Sequence, residues 1–230
     1  MVTVLCVRFG KKYGPDYVVR LRNMVSRHLT VPYEFVCLTD DPTPIDNVRL
    51  IVQRNAGYVR PWWHKVHMFD PSLELHGRIL YFDLDILIHA NIDKLIVNRT
   101  DEFLGIRDFN RKFHPTWNIL NSSAMSWDQG KHSDIWRLFY KDLSSAQKLH
   151  GDQDWIWKIA KDRIKFWPDE WLMSYKWELR ERNELTRVNG IFQFKNIRNP
   201  RIPKDCSVVV FHGDPKPQDI QDPFVIDNWK

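Results

Sequence analysis

The 230 residues carry 34 Lys and Arg against 29 Asp and Glu, a formal net charge of +5, with 43% apolar and 27% charged residues. That size suits one domain of the larger sort, or one α/β domain with an added subdomain, and the balance is ordinary for a soluble globular protein. No apolar run approaches the roughly 20 residues that a transmembrane helix needs. The mild positive excess favours anionic ligands such as phosphates. It is too scattered for a nucleic-acid footprint: its clusters are as short as Lys11-Lys12, and acid interrupts Arg180-Glu181-Arg182.

Val2 to Arg8 reads as a buried strand, and Phe9 to Gly14 as a loop with two glycines. Pro15 opens a helix with Asp16 in its first turn, continued by Tyr17, Leu21, Met24, Val25 and His28 at helical spacing. Tyr33 to Leu38 is a second strand, which completes a β-α-β unit and points to a doubly wound sheet with ligands at the carboxyl ends of its strands. Val48 to Val52 is a short third strand. A loop with Gly57 and Pro61 leads into a helix at Trp62 to Phe69. Arg78 to Ile88 then reads as one buried strand, Phe103 to Arg107 and Ser122 to Trp127 as further strands, and Ser133 to Leu143 and Asp152 to Ala160 as helices. Trp167 to Pro203 is irregular and aromatic. Ser207 to Phe211 is a last strand, and the tail from His212 to Lys230, rich in Pro and Asp, is expected to wrap over the surface.

The three cysteines, Cys6, Cys37 and Cys206, are odd in number and form no C-x-x-C, which argues against a disulfide framework or zinc site and suits a reducing compartment. Met1 to Phe9 has no signal-peptide pattern, so a cytoplasmic location is expected. The 11 Trp are many for this length. Trp62, Trp63, Trp155, Trp157, Trp171 and Trp177 stand in polar surroundings and are open to two readings, platforms for sugar rings or bases, or packing.

Within the apolar run, Asp83 and Asp85 stand two apart, so in a strand both point to one side. Two buried carboxylates stay ionised most cheaply on a bound divalent cation; a turn cap and a salt bridge are the alternative. In Phe211-His212-Gly213-Asp214-Pro215-Lys216-Pro217 a strand ends on an imidazole able to ligate a metal. Gly213 there permits close backbone approach, and Lys216 is a cation for a phosphate or simply a turn lysine. In Gly151-Asp152-Gln153-Asp154, Asp152 can cap the helix while Gln153 and Asp154 reach a ligand. Asn121-Ser122-Ser123 offers amide and hydroxyl groups to a polyol or forms a turn. Lys65, in Arg60-Pro61-Trp62-Trp63-His64-Lys65, faces a donor phosphate or solvent.

In that order, Asp83-Leu84-Asp85, Asn121-Ser122-Ser123, Asp152-Gln153-Asp154 and His212-Gly213-Asp214-Pro215-Lys216-Pro217 resemble the motifs of the retaining GT-A glycosyltransferases of family 8, the glycogenin and galactosyltransferase-like group, including its compact bacterial and viral members. The resemblance runs from the first strand to Lys216. The terminal motif is shorter here, Ser123 stands where a Gly is usual, and Arg8, Phe9 and Tyr13 stand where the family carries a donor-loop motif.

The resemblance implies an α/β GT-A fold, a Rossmann-like arrangement for nucleotide-diphospho-sugars with a mixed central sheet flanked by helices. It implies a single domain over 1–230, with a nucleotide-binding half at 1–100, an acceptor-side half at 101–205 and a metal- and diphosphate-binding tail at 206–230. The implied activity moves a sugar from a UDP-sugar, with Mn²⁺ or Mg²⁺, to a glycan, protein or lipid acceptor. Asp83, Asp85 and His212 would bind metal, and Asp83 the ribose as well. Val7, Arg8, Tyr13 and Leu84 would line the nucleotide, with Tyr13 stacked on the base. Lys65, Lys216 and Gly213 would meet the diphosphate, and Asn121 and Ser122 the sugar hydroxyls. Asp152 and Gln153 would hold the transferred sugar; retention then needs no strong base, whereas inversion would call on Asp152 or Asp154. Trp117, Trp155, Trp171, Tyr175 and Lys176 would serve the acceptor. A sugar-nucleotide pyrophosphorylase or nucleotidyltransferase, and a carbohydrate-binding domain without catalysis, are the alternatives.

Overall fold

The computed structural model describes residues 1–53, 59–188 and 190–230; Gly57 lies outside them. Twelve strands form among the described residues. They are β1 (Val2–Arg8), β2 (Tyr33–Thr39), β3 (Arg49–Val52), β4 (Arg78–Phe82), β5 (Ile86–Ile88), β6 (Phe103–Arg107), β7 (Leu120–Asp128), β8 (Ile164–Phe166), β9 (Leu172–Ser174), β10 (Leu185–Val188), β11 (Ile191–Phe194) and β12 (Val208–Val210). The helices are α1 (Pro15–His28), α2 (Asp134–Lys141), α3 (Leu143–Ala146), α4 (Asp152–Ala160) and α5 (Pro223–Asn228), and Pro61–Phe69 winds as a tighter 3₁₀ helix.

Seven strands form the central sheet in the order β3-β2-β1-β4-β7-β6-β8. The first four run parallel, while β7 is antiparallel to both β4 and β6, so the sheet is mixed and takes strands from both sides of position 100. Strand order reverses between β1 and β4. The crevice beyond their carboxyl ends is where such sheets bind ligands.

Alternation along the central strands divides the core. Val4, Cys6, Leu80 and Phe82 face α1, while Leu5, Ile79 and Tyr81 join the apolar side chains of Pro61–Phe69, α2 and α4. α1 has Pro at its start, Asp16 in its first turn and Arg27 and His28 in its last, all favourable to the helix dipole, and it buries Val18, Leu21, Met24 and Val25. The cysteines are free and buried, with Cys6 paired beside Cys37 across β1 and β2.

Two sequence expectations change. Arg78 to Ile88 is two strands, not one. β4 ends at Phe82, Asp83 extends its ladder by a single bond from its N–H to the Ser123 carbonyl, and β5 leaves to pair with β12 in a separate sheet of order β5-β12-β9. The chain breaks where the two carboxylates fall, because at a strand end they meet cations and at mid-strand they would be buried unpaired. The tail does not simply wrap over the surface. Ile220, Asp222, Val225 and Trp229 are buried, Asp222 accepts from Tyr175 and Arg180, and the Trp229 ring lies under Arg20 and beside Tyr17. No described helix is long and apolar enough to cross a membrane.

Candidate active site

Asp83 directly follows β4 and Asp85 directly precedes β5, so both carboxylates stand at the switch point of the sheet. Asp85 Oδ2 accepts from the Tyr13 hydroxyl at 2.7 Å and from Lys216 Nζ at 2.5 Å. Asp83 Oδ1 accepts from the Tyr81 hydroxyl at 2.6 Å and pairs with Lys65 Nζ at 2.7 Å. Lys65 Nζ also stands 3.4 Å from Asp152 Oδ2 and donates to Ser122 Oγ at 3.3 Å, and Ser122 Oγ donates to Asp152 at 3.0 Å. The Gln153 carboxamide accepts from Ser122 N–H at 3.2 Å. Six separate segments thus meet in one cluster: the loop after β1, the Pro61–Phe69 helix, the β4–β5 break, the start of β7, the first turn of α4 and the turn after β12 that carries Lys216.

The electrostatics follow from burial. Lys65 loses solvation, but Asp152 and Asp83 outweigh that loss and hold its ammonium above the ordinary lysine value. Burial pushes the Tyr13 hydroxyl up, and the adjacent Asp85 charge adds to it, so Tyr13 stays a donor. Burial also lifts the Asp83 carboxyl, even against the pull of Lys65.

His212 lies beside this cluster. Its Nε2 is 2.7 Å from Ser174 Oγ, its ring stacks on Phe109 at 4.9 Å, and Trp177 stands edge-on to it at 4.4 Å. Trp177 N–H donates to Ser174 Oγ, which leaves the hydroxyl proton for Nε2. Burial, with Lys176 and Lys216 nearby, lowers the His212 pKa to about 3, so the ring is neutral. Lys216 Nζ also reaches the Phe211 carbonyl at 3.1 Å.

Three carboxylates, Asp83, Asp85 and Asp152, share two ammonium groups, Lys65 and Lys216. Asp83 and Asp85 offer carboxylate oxygens, the donor type that a hard divalent cation takes. Among the described residues no three His, Cys, Asp or Glu side chains converge into a metal-holding group. Lys216 holds Asp85 Oδ2, and Ser174 holds the imidazole.

Of the residues the sequence singled out, the structure brings together Tyr13, Lys65, Asp83, Asp85, Ser122, Asp152, Gln153 and Lys216. Lys65 is no solvated surface lysine, and Asp152 is no cap: it is the first residue of α4, and its carboxylate turns to Lys65 and Ser122. Asn121 spends its carbonyl oxygen on Ser123 N–H, and the Leu84 side chain is buried in the core. Asp154 and Val7 join none of these contacts, and Arg8 pairs with Asp41 at 2.5 Å. Trp155 and Tyr175 are removed from any acceptor surface. Trp155 is buried and donates to the Ile135 carbonyl, and Tyr175 is buried on Phe211 and Asp222. Trp63 is likewise core, whereas Trp62 and Trp117 are exposed. Tyr81 was missed, although it stands two residues before Asp83, which extends the β4 ladder, and period two predicts their meeting. Ser174 was missed too; it lies 38 positions from His212 and carries no sequence signal.

No protein-family model matches the sequence, and no curated protein matches it either. Solved structures do. The galactosyltransferase LgtC, in complex with donor and acceptor sugar analogues, aligns over 98% of this chain and 93% of its own, at 12% identity and a TM-score of 0.66. The fold is that of the GT-A glycosyltransferases. The bifunctional glycosyltransferase WbbM aligns over 98% of this chain and 50% of its own, at 14% identity and a TM-score of 0.58. The glycosyltransferase GlyE of Streptococcus pneumoniae TIGR4 aligns over 75% and 47%, at 14% identity and a TM-score of 0.56. The chain thus spans about half the length of GlyE and of WbbM and nearly all of LgtC. Within this GT-A fold the cluster occupies the crevice beyond β1 and β4, where a mixed α/β sheet holds its ligand.

Proposed function

We propose that the chain is a metal-dependent glycosyltransferase that moves a sugar from a nucleotide-diphosphate donor, of the UDP-sugar kind, to a glycan, protein or lipid acceptor, with retention of configuration. The observation that carries the reading is the meeting of Asp83, Asp85, Asp152, Lys65 and Lys216 at the point where strand order reverses.

Asp83 and Asp85, with the neutral His212 imidazole, would hold Mn²⁺ or Mg²⁺. Bound there, the cation supplies positive charge to the departing diphosphate. Lys216 and Lys65 lie within the same cluster as the carboxylates and would lend their ammonium charge to the diphosphate as it leaves. Ser122, Asp152 and Gln153 are tied to one another by hydrogen bonds and would present a fixed set of polar groups to the sugar hydroxyls. In the retaining reading Asp152, whose Oδ2 is engaged by Lys65 and Ser122, would hold the sugar rather than act as a base.

The test is donor hydrolysis. Purified protein is incubated with a panel of nucleotide sugars, with Mn²⁺ or with EDTA, and released nucleoside diphosphate is measured beside the Asp85→Ala variant. The expected result is metal-dependent release from one donor, lost in the variant. Where an acceptor is required for any release, calorimetric titration of UDP with Mn²⁺ decides: no binding by the wild-type chain ends the transferase reading.

A further inference from the structure

Lys176 stands against the turn that carries His212 and Lys216 and takes no part in the ion pairs of the cluster. It rises from the Tyr175–Leu179 turn, is half-buried, and donates to the Asp214 carbonyl at 2.9 Å. Lys65 and Lys216 each pair with a carboxylate, but among the described residues no carboxylate pairs with Lys176. Burial and then the Lys216 charge bring its pKa down to about 8, and the Asp214 carboxylate, which forms no ion pair with it, offsets only part of that. Gly213 gives it room. A Cβ at that position would stand 2.9 Å from Lys176 Nζ, and the backbone there has φ of +62°, so the ammonium lies directly against the turn that carries His212 and Lys216. A half-buried ammonium held beside another ammonium is costly unless an anion joins it.

The surroundings say which substrate brings that anion. Lys176 sits over the Trp177 ring at 5.6 Å, and Trp177 meets Phe113 edge-on at 5.3 Å. Phe113 and nearby Trp117 are exposed, so this is an aromatic rim facing solvent. The diphosphate of the proposed donor would be met by Lys216 and Lys65, the two ammonium groups already paired with the carboxylates of the site. An aromatic face joined to an ammonium that stands outside any ion pair among the described residues suits a sugar ring that bears a carboxylate or phosphate.

We infer that Lys176, with Trp177 and Phe113 as its platform, is an acceptor-specificity site that selects an anionic sugar, a uronic acid or a phosphorylated sugar. This inference rests on the glycosyltransferase reading for the word acceptor, and its test separates the two.

A methyl glucuronide, a hexose phosphate and the neutral methyl glucoside are titrated calorimetrically, at about 0.15 M salt, into the full chain with and without saturating UDP and Mn²⁺. The proteins are wild type, Lys176→Met and Lys176→Arg, each checked for folding by circular dichroism. The expected result is that at least one anionic probe binds wild type about tenfold more tightly than the glucoside. That preference disappears in Lys176→Met and is kept in Lys176→Arg, while UDP affinity is unchanged in both. Which anionic probe is preferred identifies carboxylate or phosphate. Equal binding of anionic and neutral probes to wild type, no binding by either anionic probe, or a preference that survives Lys176→Met overturns the inference. So does a loss of UDP affinity in Lys176→Met, which would put Lys176 on the donor. Failure of wild type to bind UDP, in contrast, strikes the glycosyltransferase reading, and the titrations without UDP still report on Lys176.

Discussion

Lys216 and Asp85 stand 131 positions apart in the chain and meet at 2.5 Å, Nζ on Oδ2. Both side chains are nearly buried, 13% and 11% exposed, so the pair ties the C-terminal turn to the β4–β5 break in a poorly solvated place. Removing one partner strands the other charge. Lys216→Met is expected to destabilise the metal-free chain by about 3 kcal/mol. The double variant Asp85→Asn with Lys216→Met should recover part of that loss, with a coupling of about 1–3 kcal/mol. Urea unfolding of the four proteins measures it, and simple additivity would show that the pair is not coupled.

Lys65 touches Asp83, Asp152 and Ser122 at once, so it joins the proposed metal side of the site to the proposed sugar side. Its ammonium is held charged by those carboxylates. Lys65→Met is expected to slow single-turnover release of nucleoside diphosphate by about 100-fold or more, because a preorganised charge of this kind acts mainly on the transition state. UDP affinity should fall by much less. A rate equal to wild type would place Lys65 in a structural role only.

Much of the architecture was legible because its signals are local. Pro15 with Asp16 marked the start of α1, and short apolar runs marked β1, β2, β6 and most of β7. The break within Arg78 to Ile88 was not legible, since β5 leaves the central sheet for β12, a partner about 120 positions later in the sequence. The site divides the same way. Asp83 and Asp85 announce themselves by two carboxylates in an apolar run. That Lys65 reaches Asp152, or that Ser174 holds His212, depends on contacts between segments far apart in sequence and had no local sign. Trp155 and Tyr175 misled for a related reason. Each has polar neighbours in sequence, but its polar atom finds a buried acceptor, the Ile135 carbonyl for Trp155 and Asp222 for Tyr175, so the ring can be core.

Acid should weaken the fold before it reaches the carboxylates. Burial lowers His64, His89 and His132 to about 4 each, from an ordinary value near 6.5. His64 Nδ1 and His89 Nε2 are buried without a hydrogen-bond partner among the described residues, so a proton there would gain nothing. Between about pH 6.5 and pH 4 the unfolded chain takes up protons that the folded chain refuses, so stability falls as pH drops through that window and is whole above it. Each such histidine adds a slope of up to about 1.4 kcal/mol per pH unit. Urea midpoints should be clearly lower at about pH 5 than at about pH 7.5, and His64→Gln should flatten the dependence. A midpoint that rises on acidification would contradict this account.

Arg111 shows how the surroundings of His212 are held in place. The guanidinium is buried and divides its donors among Glu178 at 2.9 and 3.1 Å, the Arg107 carbonyl at 2.7 Å, and Asp169 Oδ1 and the Asp169 and Leu172 carbonyls, each at 3.0 Å. Glu178 in turn accepts the Ser174 N–H at 2.8 Å, and Ser174 holds the His212 ring. A planar fork with five N–H groups can serve this many acceptors; an ammonium with three cannot. Arg111→Lys is therefore expected to leave buried acceptors unpaired and to destabilise the chain by about 3 kcal/mol, a fall in Tm of about 10 °C for a chain of this length. Ser174→Ala removes one hydrogen bond to His212 and should cost only about 1 kcal/mol, yet weaken UDP binding in the presence of Mn²⁺ because the imidazole is no longer held. Thermal unfolding and UDP titration of both variants check the pair. An Arg111→Lys chain as stable as wild type, or a Ser174→Ala chain that binds UDP with unchanged affinity, would mean that the chain of contacts from Arg111 to His212 does not position the ring.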